Sequence, residues 1–302
     1  MYEANNHPLI YALVLNWNGA NEAIECLHSL KRQTYPHLKL LLVDNGSVDD
    51  SIACITAVHP EIELVANAKN LGFAGGVNAG LHHAFAAGAD HVLILNNDLI
   101  LEENCVAELA AHTAVDVGFV AATIYYTDDP QRIWSMSGNI NPWTLERIVD
   151  VRGQLDEGQF PRVMERHFAP GGASLMSRRA YELTAGFDEG FFLYYEDADL
   201  SLRAHKAGLR VLVCSQAKMW HAISKSSGGS DSPRERYWMA RSSVRYFAKH
   251  ARWWQIPLIV LWRLGSALKT TWRLWRHGRY ESLNAYWRGL WHGMRDGRGI
   301  CH

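Results

Sequence analysis

Four polar clusters each close an apolar run: Asn16-Trp17-Asn18-Gly19, Asp44-Asn45-Gly46-Ser47, Asn67 to Gly76, and Asn96-Asn97-Asp98. Buried strands do not need such side chains, although Asn, Asp and Gly are also ordinary turn residues. Asp44, directly after its run, could accept the imide N–H of a uracil or thymine ring. Taken alone, it reads more readily as a turn or helix-cap carboxylate. Gly72, Gly75 and Gly76 precede a helical pattern and would let backbone approach a phosphate or sugar closely. They follow the third run and lack the GxGxxG spacing, so they are not the dinucleotide-binding fingerprint. Asp98 could hold a divalent cation bridging a diphosphate, since hard cations choose carboxylate oxygens. The plainer alternative is a loop-end Asp.

Farther along, Tyr194-Tyr195-Glu196-Asp197-Ala198-Asp199 places three acids at the start of a helical pattern. Carboxylates stabilise a helix N-terminus by themselves, and Asp199 with Arg203 makes a favourable i,i+4 pair. The same arrangement also holds a general base rigidly over a pocket. Trp220-His221 follows the last clear apolar run. A lone His is usually a satisfied core or surface residue, but beside an acidic pocket it could be a cation ligand.

These residues need a scaffold, and the hydrophobic pattern supplies one. Ile10–Leu15, Leu38–Val43, Ile62–Ala66, His91–Leu95 and Val117–Ala122 read as buried strands. Between them, Ala23, Leu27 and Leu30 recur at helical spacing, and Ser51–His59 follows a Ser47/Asp50 capping box. Gly75–Ala87 and Glu102–His112 read as further helices. Strands alternating with helices predict an α/β fold: crossover units and a largely parallel sheet covered on both faces. Ligands of such sheets bind at the carboxyl ends of the strands, where all four clusters fall. Asp128 to Arg166 predicts loops and short mixed strands. Pattern returns at His167–Ser177, in a helix over Ala198–Ala207 and in a strand over Arg210–Val213. The Ser/Gly-rich stretch Ser224–Ser232 sets the expected boundary between a domain over 1–230 and an extension over 231–302.

The ordered set of motifs resembles glycosyltransferase family 2, and within it the rhamnosyltransferase-like bacterial enzymes. The residues that carry the resemblance are Leu13-Val-Leu-Asn-Trp-Asn18, Val43-Asp-Asn-Gly-Ser47, Asn70-Leu-Gly-Phe-Ala-Gly-Gly76-Val-Asn78 and Leu95-Asn-Asn-Asp98. Gly171-Gly-Ala173, Gly186-Phe-Asp-Glu189 and Glu196-Asp-Ala-Asp-Leu-Ser-Leu-Arg203 follow in order. The resemblance implies an A-type glycosyltransferase fold, a Rossmann-like mixed sheet, and inversion at the anomeric carbon. It implies that Asp44 reads the pyrimidine, with Asn16 near the base or ribose. Asn18, Asn45, Gly75, Gly76 and Asn96 fall on the donor side, and Gly171, Gly172 and Glu196 on the acceptor side. Asp98 would hold Mg2+ or Mn2+, His221 would complete the metal site, and Asp197 would take the acceptor proton. One departure matters: Asn96 stands where the family's DxD-like motif has its first carboxylate, which should weaken cation affinity.

With 48% hydrophobic and 20% charged residues, 302 residues can bury a sizeable core. Disordered, collagen-like and disulfide-stapled classes are excluded. Five cysteines without a CxxC suggest neither a disulfide framework nor a zinc site, and Cys26, Cys54 and Cys105 read as buried free thiols. The first residues lack the features of a signal peptide, so a reducing cytoplasm is expected.

The formal charge of −1 conceals an asymmetry. Residues 241–302 hold twelve basic and two acidic residues, leaving eighteen basic against twenty-nine acidic in the rest. Seven of the twelve Trp lie in the same segment. After Pro257, Leu258, Leu261, Gly265, Leu268, Trp272 and Trp275 form a helical stripe, with Arg263 opposite and Lys269 and Arg273 along one flank. The run Ile256–Trp262 is too short to span a bilayer. Basic residues and Trp on an amphipathic helix predict a peripheral contact with the inner face of the cell membrane. A helical cap, or the interface of a homo-oligomer, is the alternative; nothing else in the chain supports nucleic acid as a partner.

The expected function is transfer from a nucleotide-sugar donor to a glycan or lipid-linked acceptor in cell-surface polysaccharide assembly. The resemblance favours dTDP-rhamnose, then a UDP-hexose. The rivals are a transferase with a soluble acceptor and an oligomerising tail, a sugar nucleotidyltransferase, and a catalytically dead binding module. No Gly-rich loop with a basic residue follows the first strand, which counts against the nucleotidyltransferase. Retention of Asp98 and Asp197 counts against the dead module.

Overall fold

A computed structural model describes residues 7–221 and 231–297. In chain order the elements are β1 (Ile10–Asn16), α1 (Ala20–Lys31), β2 (Leu38–Asp44), α2 (Ser51–Val58), β3 (Glu63–Ala66), α3 (Gly72–Ala86) and β4 (His91–Asn96). Then come β5 (Leu99–Leu101), α4 (Cys105–Ala110), β6 (Val117–Tyr126), β7 (Ile133–Ser135), β8 (Asn139–Ile140), β9 (Arg147–Ile148) and β10 (Val163–Arg166). The chain continues through β11 (Ala173–Ser177), α5 (Arg178–Thr184), α6 (Glu196–Lys206), β12 (Arg210–His221), α7 (Pro233–His250), α8 (Ile256–Arg276) and α9 (Tyr280–Gly297).

Strands β4, β1, β2 and β3 lie side by side and parallel, with Ile10 opposite both Leu38 and His91. β11 runs antiparallel between β4 and β6, and β12 continues the sheet parallel to β6. This is the expected α/β architecture. The pleat sorts its two faces. Ala12, Val14, Leu42, Leu93 and Leu95 pack with α1 and α4, while Leu13, Leu41, Val43 and Ile94 pack with α3 and α6.

Several local expectations change. Ser47 does not cap α2; its Oγ donates to Asp44 Oδ1 (2.6 Å), and Asp49 Oδ1 accepts from Ser51 N instead (3.1 Å). Pro170-Gly171-Gly172 cuts the run His167–Ser177, so β11 begins at Ala173. α6 starts at Glu196, and Glu102–His112 yields only the shorter α4. β12 does not stop at Val213 but runs on to His221. A register shift between Cys214 and Lys218 breaks the two-residue period there and hides the continuation. Cys26, Cys105 and Cys214 are buried, whereas Cys54 is exposed on α2.

Residues 224–230 of the Ser/Gly stretch lie outside the described residues; Ser232 Oγ accepts from Glu235 N (3.2 Å) and caps α7. Tyr246 and Phe247 of α7 share a core with Phe168, Phe191 and Tyr195 of the α/β body. Helix α8 presents Ile259, Ala267 and Leu274 to the protein. Its predicted stripe of Leu258, Leu261, Leu268, Trp272 and Trp275 faces outward. Arg263 points inward, donating to Ser243 Oγ (2.7 Å) and lying 3.5 Å from Glu146. Among the described residues, no helix is long and apolar enough to cross a membrane.

Candidate active site

The site begins where β1 and β2 end side by side, with Asn16 paired to Asp44 across the sheet. Asp44 is 1% exposed; its Oδ1 accepts from Asn16 Nδ2 (3.1 Å) and Ser47 Oγ, and its Oδ2 from Ser47 N (2.9 Å). A carboxylate offers about four acceptor positions, so Oδ2 keeps one unused. Asn97 Nδ2 donates to Asn16 Oδ1 (2.9 Å), which ties the end of β4 to the same cluster. Asn18, with φ 52°, gives its N–H to Ser47 Oγ and takes one from Val48.

Asn45 differs from its neighbours. It is buried, donates to Gly72 O (2.8 Å), and accepts from Leu71 N and Asn67 Nδ2 (both 3.1 Å). Its side chain fastens the loop that starts α3. The glycines of that loop also answer to the protein itself. A Cβ on Gly76 would meet Asn45 Nδ2 and Leu15 Cδ1 (both 2.8 Å), and one on Gly75 would meet Leu71 Cβ (2.8 Å). Close packing of α3 on the sheet therefore requires Gly76, and its first turn requires Gly75 beside Leu71, whatever their backbone N–H groups bind.

Asp98 follows β4 in the turn to β5, and β5 pairs antiparallel with the end of β12, placing His221 opposite Leu99. His221 Nε2 donates to Asp98 Oδ2 (3.1 Å), joining residues that are distant in sequence. Trp134 packs edge-on against the imidazole. Asp98 Oδ1 and His221 Nδ1 are buried without a hydrogen-bond partner. Such atoms cost about 1–3 kcal/mol each when unsatisfied. Asp98 Oδ1 is a free carboxylate oxygen, and His221 Nε2, which faces the same carboxylate, can offer its lone pair to a cation in the other tautomer, so these residues fit a divalent ion.

The Gly171-Gly172 pair joins this edge to the start of α6. Asn96 lies so close over Gly172 that no Cβ fits there, and a Cβ on Gly171 would stand 3.5 Å from Asp197 Cβ. Tyr194 and Tyr195, both at φ 67°, turn the chain into α6, a strained path held by the packing of Tyr195 against Tyr246. The three acids then take three environments. Asp199 is fully buried among Arg203, Lys249 and His250, which bring its carboxyl down to about 2 against the opposing effect of burial. Glu196 turns inward, 7% exposed, with Oε2 unpartnered. Burial and the neighbouring Asp197 push its carboxyl up to about 8. Asp197 alone remains at the edge, its Oδ1 accepting from Ala198 N (2.8 Å) and from Arg147 (3.3 Å).

The Glu196 environment has a sign that can be measured. The folded state holds its proton more tightly than the unfolded chain does, so stability falls as pH rises from about 4.5 through about 8. Glu196→Gln has no such titration. Thermal unfolding is expected to show the variant gaining a few degrees on the wild type across that window. Parallel stability curves would remove the assignment.

Two contacts escaped the sequence pattern. Arg147, in the two-residue strand β9, lies 4.4 Å from the Tyr195 ring while it pairs with Asp197. Arg234, in the first turn of α7, lies 4.5 Å from the ring of Trp17 at the end of β1. Each contact joins residues far apart in the sequence, so no sequence signal marked it.

The chain matches other proteins over much of its length. It is 24% identical over 262 residues to a dTDP-rhamnosyl transferase of Shigella flexneri, covering 83% of this chain and 82% of that protein. It is 26% identical over 268 residues to the N-acetylglucosaminyl-diphospho-decaprenol L-rhamnosyltransferase of Mycobacterium tuberculosis, covering 80% and 84%. In fold it is similar to a mannosyltransferase of Pyrobaculum calidifontis, solved in complex with GDP-mannose and Mn2+. The TM-score is 0.59 at 17% identity, covering 97% of this chain and 78% of that one. The family model described as glycosyl transferase family 2 matches residues 12–184, more than half the chain and every strand-end cluster. This chain therefore belongs to glycosyl transferase family 2, and its relatives include rhamnosyltransferases.

Proposed function

We propose that this glycosyltransferase moves rhamnose from dTDP-rhamnose, or a hexose from a UDP-sugar, to a hydroxyl of a glycan or lipid-linked glycan. The pathway is cell-surface polysaccharide synthesis. The observation that carries this reading is the convergence of Asp44, Asp98 with His221, and Asp197 on one sheet edge bridged by Gly171-Gly172. The relatives' names supply the sugar and the lipid-linked acceptor.

In this reading Asp197 takes the proton of the acceptor hydroxyl while that oxygen bonds to the anomeric carbon. A free hydroxyl is too weak an acid to ionise at neutral pH, so the carboxylate must act during attack. The bond to the nucleoside diphosphate breaks on the opposite face, and the configuration inverts. Asp98 and His221 would hold Mg2+ or Mn2+, which when bound offsets the charge of the leaving diphosphate. Asn96 adds no charge there, and Arg147 orients the base. Residues 231–302 act as a membrane-interfacial extension of the 1–230 catalytic domain, keeping the enzyme peripheral on the inner face of the cell membrane.

Nucleotide preference tests the donor site. Asp44 accepts from a pyrimidine imide N–H, so calorimetry with Mn2+ should rank UDP and dTDP above GDP by at least ~10-fold, about 1.4 kcal/mol. Asp44→Asn should erase the ranking. Tighter binding of GDP by the wild type contradicts the role given to Asp44.

A further inference from the structure

Cys105, Glu108 and His112 stand at i, i+3 and i+7 along α4 and the turn that follows it, so they share one face. Cys214 faces them from β12, at the residue where the register shift begins. The Glu108 carboxylate, a His112 ring nitrogen and the Cys214 thiol all lie within 4.8 Å of one another. Cys214 is fully buried, and so is Cys105, whose thiol is pushed well up by burial and by the adjacent Cys214. His112 Nε2 is buried without a hydrogen-bond partner. Glu108 gives one oxygen, Oε2, to Arg162 (2.8 Å) and keeps the other.

We propose that Glu108, His112 and Cys214 form a zinc site separate from the Asp98–His221 edge. A thiolate, an imidazole and a carboxylate are the ligand types zinc selects, whereas a thiolate is a poor ligand for the harder Mg2+ and Mn2+. The ion satisfies the orphaned His112 nitrogen and balances the thiolate and carboxylate charges. On binding, the Cys214 proton passes to solvent and no redox change occurs. The spacing of the cysteines carries no zinc signature, because one ligand comes from a strand roughly a hundred residues beyond the others. The site would clip α4 to β12. The end of that strand sets His221 beside Asp98, so the clip supports the catalytic edge from a distance.

The test uses the full chain, stripped with a chelator and titrated with Co2+ as a spectroscopic stand-in for zinc. One equivalent should give the intense visible bands of tetrahedral cobalt and a near-ultraviolet thiolate charge-transfer band, both displaced by zinc. Cys214→Ser should lose the thiolate band and His112→Gln the tetrahedral spectrum, while Cys54→Ser, at an exposed thiol, keeps both. Asp98→Asn should also keep both, which separates this site from the donor edge. If Cys214→Ser does not fold, His112→Gln at a half-buried turn position carries the test, with circular dichroism confirming its fold. No thiolate band in the wild type, or one unchanged in both site variants, overturns the proposal.

Discussion

Asp197→Asn is expected to bind the nucleotide sugar as tightly as the wild type and to lose transfer by at least ~10²-fold, the scale of a missing general base. Asparagine keeps the shape of the side chain and can still accept from Ala198 N, so the first turn of α6 stays in place. What it cannot do is take a proton from the acceptor. Glu196→Gln supplies the contrast, because the Glu196 carboxyl is pushed up to about 8 and already carries its proton at neutral pH. That variant should turn over close to normally. Asp199 is no rival base, since Arg203, Lys249 and His250 enclose it. Environments that push neighbouring acids apart are how one of them is selected for proton transfer. Calorimetry measures donor affinity, and consumption of donor with acceptor, or slowly with water, measures transfer. Near-normal turnover by Asp197→Asn sinks the assignment of the base; lost turnover in both variants moves the role towards Glu196.

The candidate site's sheet edge was legible because buried strands end abruptly in polar residues. Asn16, Asp44 and Asp98 each follow an apolar run, and any parallel sheet brings such ends together. The partnership of Asp98 with His221 came from the family resemblance alone and had no signal in the hydrophobic pattern. It depends on the register of β5 against β12, and β12 itself is interrupted by a shift that masks its last residues. Ser47 misled for a different reason: a serine ahead of a helix reads as a cap, but the buried Asp44 competes for its hydroxyl and wins. Arg147 lies in a stretch of very short strands, where neither period can develop. The direction in which α8 faces is likewise a tertiary fact, since a helical stripe shows that a face is apolar without saying what covers it.

That direction makes the second large effect. Soluble helices turn their apolar face inward and their charges outward. Helix α8 departs from this, with Arg263 held against Ser243 and Glu146 while Leu261 and Leu268 are 68% and 69% exposed. Trp253, Trp262, Trp272, Trp275, Trp287 and Trp291 are exposed as well. α8 contains no acidic residue, and Lys269 and Arg276 are exposed along it. Apolar side chains, Trp rings and cations together suit the boundary between acyl chains and anionic headgroups. Leu261→Glu with Leu268→Glu should therefore leave folding stability within about 0.5 kcal/mol, because neither side chain packs in the core. Binding to phosphatidylglycerol vesicles should fall at least ~10-fold. Burying even one leucine contributes about 1.5 kcal/mol or more, and each new carboxylate meets an anionic surface. Point variants are the right probe. A chain cut after residue 240 would remove Tyr246 and Phe247 from the body's core and expose it. Unchanged sedimentation with vesicles by the double variant defeats the membrane reading. A wild type that ignores vesicles but dissociates from dimer to monomer on the same substitutions would assign the outward face to a second copy of the chain.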